Sequence, residues 1–452
     1  MAEPVTLRKA CRERGVIAVL AIAVAVRLLV FGLNYPFPPL AKDDSVYDIL
    51  AVNMLEGHGF SMSPTPPYEP MAARAPGYPA FLAGVYAVAG HNPDAVRVVQ
   101  LLLALVTCIL VYAIGRRLVP PVTAMAAGLI YATLPSAAQY PSLVLTESLH
   151  ALLLTWALYI VYRCTDPEPR ITWYVALGLV LGVAALVRPD YQLLLFPLVG
   201  LVVWAQGRPW WTLPRVGVAV ACFALVVVPW VARNYSTFGR FVGLATGSGH
   251  VLLVAELEAE GVTGRALDQA LQERYGAPFR QRYHREMTYL DGALPDQDET
   301  RRQDFLKFLQ AEPDKYARHT LQRFAAFWGP RSWSDAFGVD GDFSEYRRSR
   351  DWVPLLVKAS LLVFDAVVLG LAALGAIVAI AGWRRFLPVL AVLAYATAIH
   401  SLVYAGARYR VPVLPFVAIL AGIGLSVMVT LASRKPQGLK ALLLVEGEGR
   451  AA

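Results

Sequence analysis

The sequence predicts an all-α protein that crosses a membrane many times, and composition, the length of its apolar runs and the placement of its arginines carry that prediction. Of 452 residues, 57% are hydrophobic and only 16% charged, with a mean hydropathy of +0.49. A soluble chain carries charge at about a quarter of its positions. Several apolar runs reach the ~20 residues that span a bilayer as a helix. Basic residues gather at alternate ends of those runs, the bias that marks cytoplasmic loops. The net charge of +8 therefore reports topology first and calls for no nucleic acid. Only seven lysines stand among the 41 basic residues. With abundant Ala, Val and Gly, this arginine bias is the composition expected of a GC-rich bacterial genome.

Arg8, Lys9, Arg12 and Arg14 precede the first span, about 16–33, and no small-residue cleavage site follows it. The reading is an uncleaved helix with a cytoplasmic N-terminus. The run 79–90 is too short to cross and is expected as an interfacial or re-entrant helix. Spans follow at about 94–115, 121–138, 143–162, 171–187, 190–206 and 214–232, then a polar block of about 235–352. Spans at about 353–382, 386–406 and 411–431 bring the count to ten. Arg116-Arg117, Arg384-Arg385 and Arg434-Lys435 then lie inside with both termini. Three regions result: a membrane module 1–234 with an external loop 34–92, an external mainly helical domain 235–352, and the C-terminal spans and tail 353–452.

The loop Ala41–Pro79 is the densest in chemistry. It opens on Lys42-Asp43-Asp44, two adjacent carboxylates where the chain leaves the first span. Asp44 or Ser45 is expected to cap a short helix, with Val46, Ile49, Leu50, Asn53 and Met54 on one side and Gly57 or Gly59 as its stop. The chain returns through Arg74-Ala75-Pro76-Gly77-Tyr78-Pro79. On this topology the external ends also collect Glu147, Arg188, Asp190, Arg233, Arg408 and Arg410. Arginines there run against the positive-inside bias, so each is either snorkelling to lipid phosphates or part of an anion site.

In the external block, Phe305, Leu306, Phe308 and Leu309 make one apolar face, and Tyr316, Leu321, Phe324, Phe327 and Trp328 another, which predicts two or three short helices over the membrane surface. The loop Gly243 to Gly249 offers backbone N–H groups to an anion, or is a plain linker. Cys11, Cys108, Cys164 and Cys222 fall inside or within spans, where no disulfide is expected. His58, His91, His250, His284, His319 and His400 show no paired ligand spacing, and His150 stands alone in its helix, so the sequence gives a divalent metal no support.

The segments Asp43-Asp44-x-x-Tyr47, Arg74-x-Pro76-Gly77-Tyr78-Pro79, Thr146-Glu147, Arg188-Pro189, Pro229-Trp230-x-x-Arg233-Asn234-Tyr235 and Arg408-Tyr409-Arg410-x-Pro412, in that order, resemble bacterial GT-C glycosyltransferases. The chain is similar to protein O-mannosyltransferases (glycosyltransferase family 39) and the aminoarabinose lipid A transferase over about 16–431. Where that group has Asp-Glu this chain has Asp43-Asp44, and His250 stands where an Asn is usual. The resemblance implies a GT-C helical bundle in a bacterial inner membrane. It also implies a polyprenyl-phosphate sugar donor, an acceptor hydroxyl on a lipid, glycan or protein, and inversion on the external face.

The residues suit that chemistry. A hydroxyl nucleophile needs a nearby base, and a lipid-phosphate leaving group needs positive charge. The resemblance casts Asp43 as general base with Asp44 beside it. Glu147 is left to orient the acceptor, bind a metal or pair with Arg188. Arg408, Arg233, Arg188, Arg74 and Arg410 are the expected phosphate binders, while Lys42, Tyr47, Tyr78 and Tyr409 line the substrate. Helix capping for Asp43 and Asp44, and interfacial anchoring for the tyrosines, are the plainer readings. A transporter or flippase is the rival class. It calls for midplane charge and two similar halves, whereas Asp365, with Lys358 at i−7, is the one acid well inside a span. A glycan-binding protein without catalysis is a third.

Overall fold

The computed structural model describes residues 3–37, 39–40, 43–207, 209–246, 248–262, 269–270, 295–337, 339, 341–404 and 406–433. Among these there is no strand, only an isolated bridge between Ser61 and Pro70; the rest is helix and connection. Lys42, Arg434 and Lys435 lie outside the described residues, as does the side chain of His250.

The first half is punctuated by prolines. Helix α1 (Glu3–Leu33) contains the first span, and α2 (Asp43–Leu55) follows with both Asp43 and Asp44 in its first turn. The helix thus starts just before the expected caps, and Gly57 at φ +80° lies just beyond its end. The expected short helix is α3 (Gly77–Ala89). Asn92 caps α4 (Pro93–Leu118), accepting from the amides of Asp94 and Ala95 at 3.0 and 3.3 Å, with Pro93 at the first helical position. Helices α5 (Pro121–Thr133) and α6 (Pro135–Gln139) replace one expected span, and a turn at Tyr140–Ser142 leads to α7 (Glu147–Cys164). Then come α8 (Ile171–Val187), a 3-10 turn Pro189–Leu194, α9 (Leu195–Gln206) and α10 (Pro209–Phe238).

The polar block supplies α11 (Ser248–Ala259), α12 (Pro295–Ala311), α13 (Pro313–Trp328) and α14 (Phe343–Ser349). The chain re-enters through α15 (Trp352–Ala381), α16 (Trp383–Leu402), a 3-10 turn Ala407–Val413 and α17 (Leu414–Ala432). By length and apolarity, six described helical stretches can cross a membrane, and seven if α5 and the following segment, bent by 61°, count as one span. The expected ten are not reached on that measure. Pro135 breaks the fourth apolar run and disfavours α-conformation at Leu134, which is extended. The run 171–187 yields only 17 helical residues, and 190–206 only twelve after a 3-10 start.

Of the most apolar 18 residues in Ala407–Ala432, 72% are buried, and that stretch runs through the middle of the bundle, whereas in Trp210–Phe238 the share is 11% and the helix faces outward. Close helix contact around α17 relies on small residues. A Cβ on Gly375 of α15 would strike the carbonyl of Leu420, and one on Gly424 the carbonyl of Leu371. This fixes the helix that carries the 407–413 turn.

Candidate active site

The elements meet at one end of the bundle, where five chain segments deliver alternating charges. Asp43 begins α2. Arg74 lies in the extended return that enters α3. Glu147 begins α7, while Arg188 and Asp190 sit where α8 gives way to its 3-10 turn, and Arg408 lies in the turn before α17. Arg74 Nη2 donates to Asp43 Oδ1 at 3.0 Å, and Arg408 Nη1 donates to Asp43 Oδ2 at 3.0 Å. Arg408 Nε donates to Glu147 Oε1. Arg188 Nη1 stands 3.7 Å from that same oxygen, while its Nη2 and Nε donate to Asp190 at 3.0 and 3.4 Å. Three guanidiniums and three carboxylates thus form one continuous chain, Arg74–Asp43–Arg408–Glu147–Arg188–Asp190.

Exposure along that chain is lowest at Glu147 and rises to either side of it. The side chains of Asp43 and Arg408 are 35% and 33% exposed, that of Arg188 10%, and that of Glu147 not at all. Burial raises the Asp43 carboxyl's pKa, but the charges of Arg74 and Arg408, and their hydrogen bonds, outweigh it and hold the group below its ordinary value. Asp43 is therefore ionised and, with both oxygens engaged, a weakened base. Asp44 Oδ1 accepts the amide of Ser45 at 3.0 Å.

Local sequence explains the placement. Gly77 is required by close approach: a Cβ there would lie 2.6 Å from the Leu186 carbonyl carbon, two residues before Arg188. Tyr78, fully buried, donates to Gln100 Oε1 at 2.9 Å, and Gln100 Nε2 donates to the carbonyl of Leu143 at 2.6 Å, ahead of Glu147. Arg97 Nε donates to Ser142 O at 3.0 Å. One helix, α4, thus ties the 74–78 return to the 141–143 turn. Tyr47 meets Tyr78 edge-on at 5.0 Å, and Tyr409 lies under the Arg188 guanidinium at 5.2 Å.

Two expected phosphate binders are placed elsewhere. Arg410 is fully buried, donating to Asp365 Oδ2 at 2.8 Å and to the carbonyls of Phe327 and Gly329 at 3.2 and 3.1 Å. Asp365 pairs there rather than with Lys358, which donates to Gly341 O. Arg233 donates to Met71 O at 2.9 Å and lies over Trp230 at 4.9 Å. Around it, Trp230 Nε1 donates to Leu244 O, Asn234 Nδ2 to Gly243 O, and the Thr246 amide to Ala72 O at 2.8, 2.9 and 2.7 Å. The Pro229-Trp230-x-x-Arg233-Asn234 segment thus clamps the chain just ahead of Arg74. The amides of Thr246 and Gly249 are spent on Ala72 O and Asp298 Oδ1, so two of the donors expected to face an anion serve packing.

Among the described residues no three His, Cys, Asp or Glu side chains are grouped as metal ligands. Asp43 and Glu147 share Arg408, so a guanidinium holds the position between them. Sequence reasoning named Asp190 as an external end without giving it a role, and did not bring His400 to the site. The adjacency Arg188-Pro189-Asp190 was the available signal, since a proline at the start of a 3-10 turn brings both neighbours round to one side.

Comparison with known proteins places this geometry. Residues 73–232 match the family model described as dolichyl-phosphate-mannose-protein mannosyltransferase. That region takes in Arg74, Glu147 and Arg188 and leaves out Asp43 and Arg408. No curated protein matches the sequence. In structure the chain is similar to the archaeal oligosaccharyltransferase AglB from Archaeoglobus fulgidus in complex with an inhibitory peptide and a dolichol-phosphate, at 14% identity and TM-score 0.55, covering 98% of this chain and 53% of that one. It is also similar to the apo oligosaccharyltransferase of the same organism, at 14% identity and TM-score 0.53, covering 95% and 52%. ArnT from Cupriavidus metallidurans bound to undecaprenyl phosphate matches at 16% identity and TM-score 0.40, covering 95% and 84%. The chain spans about half the length of the archaeal enzymes. The fold is that of the GT-C glycosyltransferases, a class of multi-pass membrane proteins, and residues 73–232 carry the mannosyltransferase pattern.

Proposed function

We propose that this chain is an inverting membrane glycosyltransferase that moves a sugar from a polyprenyl-phosphate donor to an acceptor hydroxyl at the external face, in a bacterial inner membrane. The observation that carries the reading is the shared arginine. Arg408 is the partly exposed cation that joins the candidate base, Asp43, to the buried Glu147. A phosphate arriving from the membrane recruits Arg408, because a planar guanidinium fork matches phosphate oxygens as well as it matches a carboxylate. Arg74 and Arg188 flank it; Arg233 and Arg410 are committed to the scaffold.

Recruitment has a chemical consequence. With Arg408 on the phosphate, Asp43 keeps one guanidinium instead of two, and its basicity rises when donor is bound. Asp43 then takes the proton of the acceptor hydroxyl as the acceptor oxygen bonds to the anomeric carbon. The bond from that carbon to the phosphate oxygen breaks, and the leaving group departs as a polyprenyl phosphate whose charge Arg408 stabilises. Tyr47 and Tyr409 border the sugar; Tyr78, spent on Gln100, supports Tyr47 from beneath.

Asp43→Asn tests the base directly. In membranes supplied with a radiolabelled polyprenyl-phosphate sugar, this variant is expected to lose transfer while still binding donor. Turnover near that of the parent would remove the base from Asp43 and direct attention to Asp44 or Glu147.

A further inference from the structure

Arg188 stands between two carboxylates and is satisfied unequally by them. Its fork is bidentate on Asp190, at 3.0 and 3.4 Å, but reaches only to 3.7 Å from Glu147. Glu147 is wholly buried, so it holds a charge in a poor solvent and leans on Arg408 for its short contact. Asp190 is anchored independently. Its backbone carbonyl accepts from Tyr395 at 2.7 Å, and its Oδ2 lies 3.7 Å from His400 Nε2, on a ring that stacks on Phe327. Around Asp190 the buried interior also holds unspent polar atoms: both ring nitrogens of His150, the hydroxyl of Tyr191 and Nε2 of His400. His150 and Tyr191 meet ring to ring at 4.6 Å.

Resting on the reading of Arg408 given above, we infer that Asp190 is a positioning residue that sets donor affinity by keeping Arg188 away from Glu147. While Asp190 holds Arg188, Glu147 must be neutralised by Arg408, and Arg408 is correspondingly less available to a phosphate. When Arg408 leaves for the donor, Arg188 closes the gap to Glu147, sliding over Tyr409, and the unspent hydroxyl of Tyr191 remains for Asp190. Arg188 is therefore a two-position cation, and Asp190 biases it toward the position that restrains Arg408. The restraint has a use: it keeps the product lipid phosphate from being held as tightly as the charges alone would hold it.

The consequence is opposite in sign to that of a merely structural contact. Asp190→Asn lets Arg188 fall onto Glu147 and frees Arg408. In nanodiscs it is expected to bind undecaprenyl phosphate about three- to tenfold more tightly, the effect of one unit charge some ångströms away near the protein–water boundary. With a sugar-loaded donor, KM and kcat should fall together because product leaves slowly, and Asp190→Glu should return both toward the parent values. Tyr395→Phe, which loosens only the Asp190 carbonyl, should move affinity the same way by less, and serves if Asp190→Asn does not fold.

The gain should vanish in the double variant Asp190→Asn/Arg408→Ala, because it acts through Arg408. Unchanged or weaker binding in a folded Asp190→Asn, or a gain that survives loss of Arg408, overturns the inference. If Arg408→Ala alone binds undecaprenyl phosphate as the parent does, it is the phosphate-binding reading itself that fails, and the inference with it.

Discussion

Arg408 and Arg410 occupy the same 3-10 turn, two residues apart, yet the structure uses them in opposite ways. Arg410 is closed. It is fully buried, and its donors go to Asp365 and two backbone carbonyls that join α13, α15 and the turn before α17. Arg408 is open. One third of its side chain is exposed, and it is shared between two carboxylates contributed by different helices. With three residues per turn, positions i and i+2 of a 3-10 helix point to different sides. A guanidinium wholly buried against its own carboxylate and carbonyl partners is out of a ligand's reach. One shared between partners can be taken up by a third, so sharing, together with exposure, distinguishes a candidate site from a staple.

The largest effect that follows from this contrast belongs to the staple. Arg410→Ala leaves Asp365 charged and buried in a span, and is expected to cost about 3–5 kcal/mol of stability, in line with breaking one side of a buried ion pair. Thermal unfolding in detergent would read this as a large fall in midpoint; a parent-like midpoint would place Arg410 among the open arginines after all.

A pH profile sharpens the open side. Asp43 acts as base only when ionised, and its carboxyl is held below the ordinary range because Arg74 and Arg408 overcome the upward pull of burial. A depressed carboxylate keeps its charge until pH falls through that lowered pKa. Arg74→Ala removes one of the two holding charges, raises the pKa and should shift the acid limb of the rate profile to higher pH. An acid limb that stays in place would show that Asp43 does not control the rate. The smallest effect is expected at Arg233, whose bond to Met71 O and contact with Trp230 hold the loop ahead of Arg74. Arg233→Ala should reduce stability by about 1–2 kcal/mol and leave donor affinity close to the parent's, as measured by titration. A loss of affinity equal to that of Arg408→Ala would return Arg233 to the phosphate.

How far each feature could be read in the sequence follows from the range of the physics that sets it. Apolar runs made the membrane helices legible, and the short run 79–90 announced α3 because twelve residues cannot cross. Pro135 and Pro189 sat in plain sight, but apolarity says nothing of backbone angles, so the break at Leu134 and the 3-10 start of α9 were read as continuous spans. The membrane side gathered Asp43, Arg74, Glu147, Arg188 and Arg408 as external ends, and the structure brings all five into one chain of ion pairs. What the sequence could not supply was pairing at a distance. Asp365 finds Arg410, 45 residues on, instead of Lys358 on its own helix, and Arg233 turns back to Met71 across 162 residues. Two arginines in one motif look alike until the partners of each are known.

The central claim is that Arg408 is a shared cation that a donor phosphate recruits. Titrating a polyprenyl-phosphate sugar against the parent, Arg408→Lys and Arg408→Ala in nanodiscs tests it most directly. Arg408→Ala is expected to weaken donor binding roughly ten- to a hundredfold, the ~1.5–3 kcal/mol of a charged hydrogen bond. Arg408→Lys, which keeps the charge and loses the fork, should retain part of the affinity and lose more of the rate. Three superimposable binding curves would contradict the account and leave Arg408 as a second staple between Asp43 and Glu147.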